Sequence, residues 1–161
     1  MPASLKIKGR GLAQLIAVAK KLGERPHVKV GVLQKGGKNS RPASDAEFTN
    51  AELMAIHEYG APRAGIPARS VLRATADAQR QKWLVMLERV IRGAVAGKLD
   101  LLTALDLVGL KATADMVATI RRGVAPPLLP ATIKAKGSSK PLIDTGRLVQ
   151  SLGHEVVRSS R

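Results

Sequence analysis

Two long apolar stripes at helical spacing constrain the fold of this chain more than any other feature. The first runs from Ser70 to about Ala96, and the second continues to Gly123 after a break and restart predicted at Gly97 and Asp100. The apolar positions of the two stripes are Val71, Leu72, Trp83, Leu87, Val90, Ile91 and Ala94, then Leu101, Leu105, Val108, Ala112, Met116 and Ile120. This spacing predicts a long central helix followed by a second helix.

The region before these stripes predicts a helix and then a strand. The helix rests on apolar residues at helical spacing, which are Leu12, Leu15, Ile16, Ala19 and Leu22. Gly23 occupies the position of a C-cap glycine. The segment His27–Leu33 alternates Val28, Val30 and Val32 on one face, which is typical of a strand.

Shorter elements are predicted around these. Thr49 and Glu52 form a capping-box pattern that opens a short helix through Ile56, closed near Gly60. Pro and Gly in 61–67, and the prolines of 126–130, argue against regular elements there. A helix after Asp144 and a strand at 154–157 complete the prediction. We expect one α+β domain spanning 1–161, with a small, mostly antiparallel sheet packed against the long central helix and additional helices, and mobile loops near 34–48 and 123–141.

Composition narrows the class of protein. Hydrophobic residues make up 45% of the chain but aromatic residues only 2%, so the core must be built from aliphatic side chains. The absence of cysteine excludes disulfides and thiolate metal sites. No apolar run reaches the ~20 residues that span a bilayer. The N-terminal apolar run is interrupted by Gln14 and lacks a small-residue cleavage site, so we expect a soluble protein made in the cytoplasm.

The chain is strongly basic, with 27 Lys and Arg against 12 Asp and Glu, a net charge of +15. The excess is spread along the whole length, so it is not a basic tail on a neutral domain. Such a charge attracts polyanions and says nothing about fold. It favours contact with nucleic acid or with an acidic protein surface over a merely solvated basic surface.

The tripeptide Asp144-Thr145-Gly146 matches the catalytic turn of an aspartic protease. A single copy would have to act in a homodimer, because two such aspartates share a proton. Only 15 residues follow Gly146, too few for the flap and barrel of a retroviral-type protease, and the preceding chain is mainly helical. A helix N-cap on Asp144 followed by a flexible glycine, ahead of Arg147, accounts for the tripeptide without any chemistry.

Other catalytic or metal-binding patterns are incomplete. His57-Glu58 would need a second histidine at position 61 to form the zinc-protease motif, and position 61 is Ala. His27 and His154 have no ligand-like spacing, so structural roles are the simpler interpretation. We predict no catalytic residue, no metal and no cofactor, and therefore a protein that is not an enzyme.

Two acid-free basic runs lie in the predicted loops, and their candidate contact residues are Lys35, Lys38, Arg41, Arg121, Arg122, Lys134, Lys136 and Lys140. Such residues can contact phosphates without reading bases. The scarcity of aromatic side chains argues against a single-strand binder that stacks bases. Alternatively, the loops are disordered in the monomer and become ordered against a neighbouring protein.

Two segments together carry a resemblance to a known family. They are 55–73, AIHEYGAPRAGIPARSVLR, and 126–152, PPLLPATIKAKGSSKPLIDTGRLVQSL. In this order, separated by a long helix, they resemble bacteriophage head–tail joining proteins, which are also called tail-completion, tail-terminator or neck proteins. The resemblance covers the chain from about Val28 onward. Ser70-Val71 departs from it, because members of the family commonly have Pro-Phe there.

The resemblance implies a virion protein at the head–tail junction that forms a ring, commonly a hexamer, and docks the tail tube to the head connector. The motif residues it highlights are His57, Glu58, Tyr59, Gly60, Pro67 and Arg69, with Asp144, Thr145, Gly146 and Arg147. We expect His57, Glu58, Tyr59 and Arg69 to brace the turn between the strand and the long helix, or to contact a partner directly. The positive charge is expected to face either DNA in the lumen or an acidic connector surface. A stand-alone, basic nucleic-acid-binding protein is the competing interpretation.

Overall fold

The computed structural model describes residues 10–33, 48–128, 130, 133–134, 142 and 146–158. Its helices are α1 (Arg10–Gly23), α2 (Asn50–Tyr59), α3 (Leu72–Val95), α4 (Leu101–Arg122) and α5 (Arg147–Gln150), and its strands are β1 (His27–Val32) and β2 (Leu152–Val157). The α+β prediction is therefore confirmed. A 3-10 turn at Pro62–Ala64 occupies a segment for which the sequence predicted no regular element.

The two strands form an antiparallel sheet although more than a hundred residues separate them in sequence. The register places Val28 opposite Val156 and Val32 opposite Leu152. Because side chains alternate along a strand, this register gathers these aliphatic residues on one face of the sheet. The helix α4 packs against both strands and against α3, which makes α4 the centre of the protein.

A glycine allows α4 to approach the sheet closely. A Cβ atom added at Gly109 would lie 2.5 Å from the His154 ring and 2.8 Å from a methyl group of Val28. Beside this contact, Nε2 of the His154 ring lies 3.0 Å from a carboxylate oxygen of Asp106, and Nδ1 lies 3.5 Å from the Thr113 hydroxyl, both on α4. The sheet is thus held to α4 by close packing and by polar contacts of His154.

Two aliphatic clusters build the core of the described residues. The first joins α2, α3, α4 and α5 and consists of Met54, Val71, Ile120, Leu142 and Leu148. The second lies at the opposite end of the α3–α4 pair and consists of Val18, Ala94, Leu101 and Ala104. Neither cluster contains an aromatic side chain, as the composition predicted.

The stripe that predicted α1 does not face the protein body. Leu12, Leu15, Ile16, Ala19 and Leu22 are all exposed, and we call this set the α1 outer stripe. The inner face of α1 carries Gln14, Val18 and Lys21 instead. The Gln14 side-chain amide donates to the Ala94 carbonyl oxygen at 3.2 Å, and Lys21 pairs with Asp100. The helix itself was predicted correctly, but an apolar stripe at helical spacing does not show whether that face of the helix is buried in the protein's own core.

Candidate functional site

The best-organised polar site surrounds the carboxylate of Glu58, whose residue is only 3% exposed. Glu58 lies near the end of α2, and its two oxygens accept hydrogen bonds at the start of α3. The backbone amides of Val71, Leu72 and Arg73 donate at 2.8, 2.9 and 3.0 Å. The first amides of a helix have no partner within the helix, and the positive end of the helix dipole favours an anion. Glu58 therefore caps α3 from outside that helix.

Two side chains complete the coordination of Glu58. The Ser70 hydroxyl donates to Oε1 at 2.5 Å, and Nε of Arg73 donates to the same oxygen at 3.0 Å. Burial disfavours the charged carboxylate and raises the pKa of Glu58. The hydrogen bonds from Ser70, from the amides of Arg73 and Leu72 and from the Arg73 side chain outweigh burial, so the pKa lies below its ordinary value of 4.5.

Arg73 links this site to the surface. Its Nη2 donates to the Glu58 carbonyl oxygen at 2.9 Å, and its guanidinium lies over the Tyr59 ring at 5.1 Å from the centroid. Tyr59 is 70% exposed, so the pair is open to solvent. Such a cation–π contact at an exposed site contributes about 0.5–1 kcal/mol. Glu58 and Tyr59 thus both interact with the first turn of α3.

The turn between α2 and α3 is tightly closed. Gly60 has a φ of 76°, and a Cβ atom at this position would lie 2.8 Å from the Ala68 amide nitrogen. The Arg69 amide donates to the His57 carbonyl oxygen at 2.6 Å. An L-residue at position 60 would meet both backbone strain and a backbone clash. Gly60 therefore allows the two segments of the turn to touch.

Arg69 ties this turn to the segment after α4. The residue is buried, its Nε donates to the Pro126 carbonyl oxygen at 2.8 Å, and Nη2 donates to the Pro127 carbonyl oxygen at 3.2 Å. Pro67, two residues earlier, is exposed. The planar guanidinium suits two neighbouring acceptors. We call Glu58, Gly60, Arg69, Ser70 and Arg73 together the Glu58 bracket.

The two motif segments meet in this region. Met54 directly precedes the first motif segment and Val71 lies within it, and both belong to the same buried cluster as Leu142 and Leu148 of the second segment. Asp144 and Thr145 lie outside the described residues. Gly146 occupies the N-cap position of α5 with a φ of 76°. Arg147, the first residue of α5, is exposed.

The structure describes only some of the predicted basic contact residues. Arg121 and Arg122 lie exposed at the end of α4, and Lys134 is also exposed. The remaining predicted contact residues, Lys35, Lys38, Arg41, Lys136 and Lys140, lie outside the described residues. The described part of the predicted set therefore presents positive charge at the C-terminal end of α4.

Several structurally important residues were missed by sequence reasoning. Asp115 accepts a hydrogen bond from Nε1 of Trp83 at 2.8 Å and pairs with Lys111. Burial raises the pKa of Asp115, and the bonds from Lys111 and Trp83 lower it to a net value below the ordinary one. Only the (i, i+4) spacing of Lys111 and Asp115 was visible in the sequence.

Ser70 and Arg73, by contrast, carried a sequence signal. Both lie in the motif segment 55–73, where Ser70 stands in place of the Pro that is common in the family. The hydroxyl of Ser70 donates to Glu58, and Arg73 binds the same carboxylate.

Comparisons with protein-family models, curated proteins and solved structures returned no match to this chain. Among the described residues, no group of three or more potential ligands is arranged to hold a metal ion, and no helix is long and apolar enough to cross a membrane. Donors occupy both oxygens of Glu58, so the Glu58 bracket is built as a helix cap.

Proposed function

We propose that this chain is a structural virion protein of a tailed bacteriophage. It forms a homo-oligomeric ring, a hexamer in our proposal, at the head–tail junction. There it completes or terminates the tail and docks it to the head connector. Its partners are further copies of itself, the connector or neck proteins and the tail-tube proteins, with non-specific contact to packaged DNA.

One observation carries this proposal. The two motif segments that resemble the head–tail joining family are separated by residues 74–125, and Leu142 and Leu148 nevertheless share a core cluster with Met54 and Val71. Arg69 adds a second link, to the carbonyl oxygens that follow α4. Because the two segments are packed together in the core, they fix the shape of the protein, and an assembly protein acts through the shape that it presents to its neighbours. This supports a structural role for both segments.

The exposed surface supports the same proposal. A ring protomer needs unlike faces that contact neighbouring copies, and a contact between two different faces closes into a ring when the rotation allows. Large aliphatic side chains remain exposed on α1, α3 and α4, in the α1 outer stripe and at Leu84, Val85, Leu107 and Leu110. Scattered apolar residues on a surface are ordinary, whereas contiguous ones mark interaction sites.

The test is imaging of particles from infected cells that lack this gene. The proposal predicts DNA-filled heads separated from tails, with tails unjoined or overlong, and restoration of joined particles by the gene supplied in trans. Normal, infectious particles in the deletion strain would contradict it. A variant with Glu88→Ala, which alters an exposed ion pair on α3, serves as a complementation control.

A second candidate function is a stand-alone nucleic-acid-binding protein. It is favoured by the net charge of +15 and by the exposed Arg121 and Arg122 at the end of α4. This candidate predicts tight duplex binding whose affinity falls steeply with salt, because phosphate contacts release counterions. A monomer that binds duplex DNA tightly, with and without tail components, would favour it over the ring.

A further inference from the structure

Two exposed helical stripes on this chain share the spacing of a coiled-coil seam. Within the α1 outer stripe, Leu12, Leu15, Ala19 and Leu22 follow one another at intervals of three, four and three residues. Leu15 is 51% exposed and its neighbour Ile16 is 59% exposed. Intervals of three and four keep the residues along one side of a helix and suit packing against a second helix.

The second stripe lies on α4. Thr103, Leu107, Leu110 and Ala114 follow at intervals of four, three and four residues, and all are exposed. We call this set the α4 outer stripe. The opposite side of α4 is buried against α3 and the sheet. The inner side of α1 is likewise occupied, by the contacts of Gln14, Val18 and Lys21.

Within one chain, α1 is placed so that its outer stripe does not cover the α4 outer stripe. The inner side of α1 packs at the end of α3, where Gln14 reaches the carbonyl oxygen of Ala94 and Lys21 pairs with Asp100. The α1 outer stripe therefore faces away from the body that includes α4. Two unlike apolar surfaces on one chain are the requirement for a head-to-tail contact between copies.

The charges beside the stripes distinguish between the ways in which copies can meet. The helix α1 has no acidic residue, and the exposed Lys20 follows Ile16 by one turn. On α4, the carboxylate of Asp106, which contacts His154, is 60% exposed next to Leu107. The exposed Lys111, next to Leu110, is paired with Asp115. Because Lys111 has a carboxylate partner on its own helix, pairing α1 with α4 can bring Lys20 toward Asp106, whereas pairing α1 with another α1 brings only positive charges together.

We propose that the α1 outer stripe of one copy packs against the α4 outer stripe of a second copy. The contact is head-to-tail, so each copy offers one free α1 and one free α4 to its neighbours. This inference rests on the proposed function, and it supplies the joint between protomers of the ring. Closure of the series gives a ring, and failure to close gives an open chain of copies.

The absence of cysteine allows a direct test by disulfide cross-linking. Leu15→Cys protein is mixed in turn with Leu107→Cys and Leu110→Cys protein under mild oxidation and compared with each variant alone. The proposal predicts a species of twice the 17.0 kDa chain mass in the mixtures and not in the single variants. Gln81→Cys, exposed on α3, replaces the α4 partner as the matched control and should give no such species.

Two outcomes would overturn the proposal. One is a cross-linked dimer from Leu15→Cys alone, which would show a symmetric α1–α1 contact. The other is no cross-link above the Gln81→Cys control in either mixture, which would show that another partner covers α1. Each variant replaces an exposed residue and should fold normally, which the urea midpoint of each protein checks.

Electron microscopy of the wild type and of glutamate variants separates this inference from the proposed function. If Leu15→Glu protein still forms rings and the cysteine variants give no mixed cross-link, the α1–α4 joint is overturned and the ring proposal is left intact. The mixed cross-link in open chains that never close would support the joint and contradict the ring. Rings in the wild type that dissociate in both Leu15→Glu and Leu107→Glu would support both.

Discussion

The two ends of the α3–α4 pair differ in what they bury: one buries a charged group, and the other leaves an apolar helix face exposed. At one end, the Glu58 bracket buries a charge and gives each of its oxygens several donors, above an aliphatic cluster that joins four helices. At the other end, a smaller cluster around Val18 holds α1, which presents its apolar stripe outward. The polar groups of the first end are satisfied within the chain, whereas the second end leaves large apolar side chains exposed.

The largest expected effect is the loss of the Glu58 cap. Glu58→Ala leaves the amides of Val71, Leu72 and Arg73 without their acceptor, and we expect a loss of about 3 kcal/mol in the free energy of unfolding. Urea denaturation at neutral pH measures it. Glu88→Ala is the matched control, because Glu88 pairs with Arg92 at the surface and should cost about 0.5 kcal/mol or less. Equal losses in the free energy of unfolding for Glu58→Ala and Glu88→Ala would contradict the claim that the Glu58 bracket stabilises its end of the α3–α4 pair.

The turn of the Glu58 bracket gives the next effect. Gly60→Ala adds a Cβ atom 2.8 Å from the Ala68 amide nitrogen at a φ of 76°, so strain and clash combine. We expect a loss of about 2–3 kcal/mol. Gly65→Ala is the control, because Gly65 has a φ of 67° but open space, and it should lose only about 1 kcal/mol. Similar urea midpoints for both variants would show that the close approach at Gly60 is unimportant.

The third prediction separates the two faces of α1. Val18→Ala removes buried methyl groups from the second cluster and should cost about 2 kcal/mol. Leu15→Ala changes an exposed residue on the same helix and should alter monomer stability by about 0.5 kcal/mol or less. Denaturation of dilute, monomeric protein measures both. A larger loss from Leu15→Ala would mean that the outer stripe is covered within the monomer.

The smallest expected effect is the contribution of Glu58 to acid unfolding. Its pKa is lower in the folded protein than the ordinary 4.5, so its stabilisation is fully present above that value and is lost as the pH falls through the folded-state pKa. Wild-type stability should therefore decline more steeply below pH 4.5 than that of Glu58→Gln. Asp115 titrates in both proteins, so the difference between the two curves isolates Glu58. Parallel curves would contradict the cap.

The long helices and both strands could be predicted from the sequence because their signals are local. The capping box at Thr49 and Glu52 is present with both of its hydrogen bonds, and the break between α3 and α4 falls at the predicted glycine and aspartate. The start of α3 was placed two residues early, at Ser70. Its cap comes from Glu58, which is distant in sequence and belongs to another helix.

The orientation of α1 and the partners of Glu58 could not be predicted, since each depends on tertiary packing. The apolar stripe of α1 predicted a helix without predicting which face of it turns toward the core, and Val18 and two polar residues form that inner face. The importance of Gly109 is likewise invisible in a helical sequence, where glycine is only a weak helix former. The first motif segment contains Glu58, Ser70 and Arg73, but its resemblance to a family did not reveal the hydrogen bonds between them.

The most direct measurement of the central claim is light scattering across concentration on the wild-type chain and on Leu15→Glu, alone and with tail components. We predict that the wild type assembles into a closed ring. Leu15→Glu should remain a monomer with an unchanged urea midpoint, because Leu15 is exposed in the protomer. A wild-type protein that stays monomeric under every condition, or a Leu15→Glu protein that forms the same rings, would contradict the assignment of folding to one end and assembly to the other.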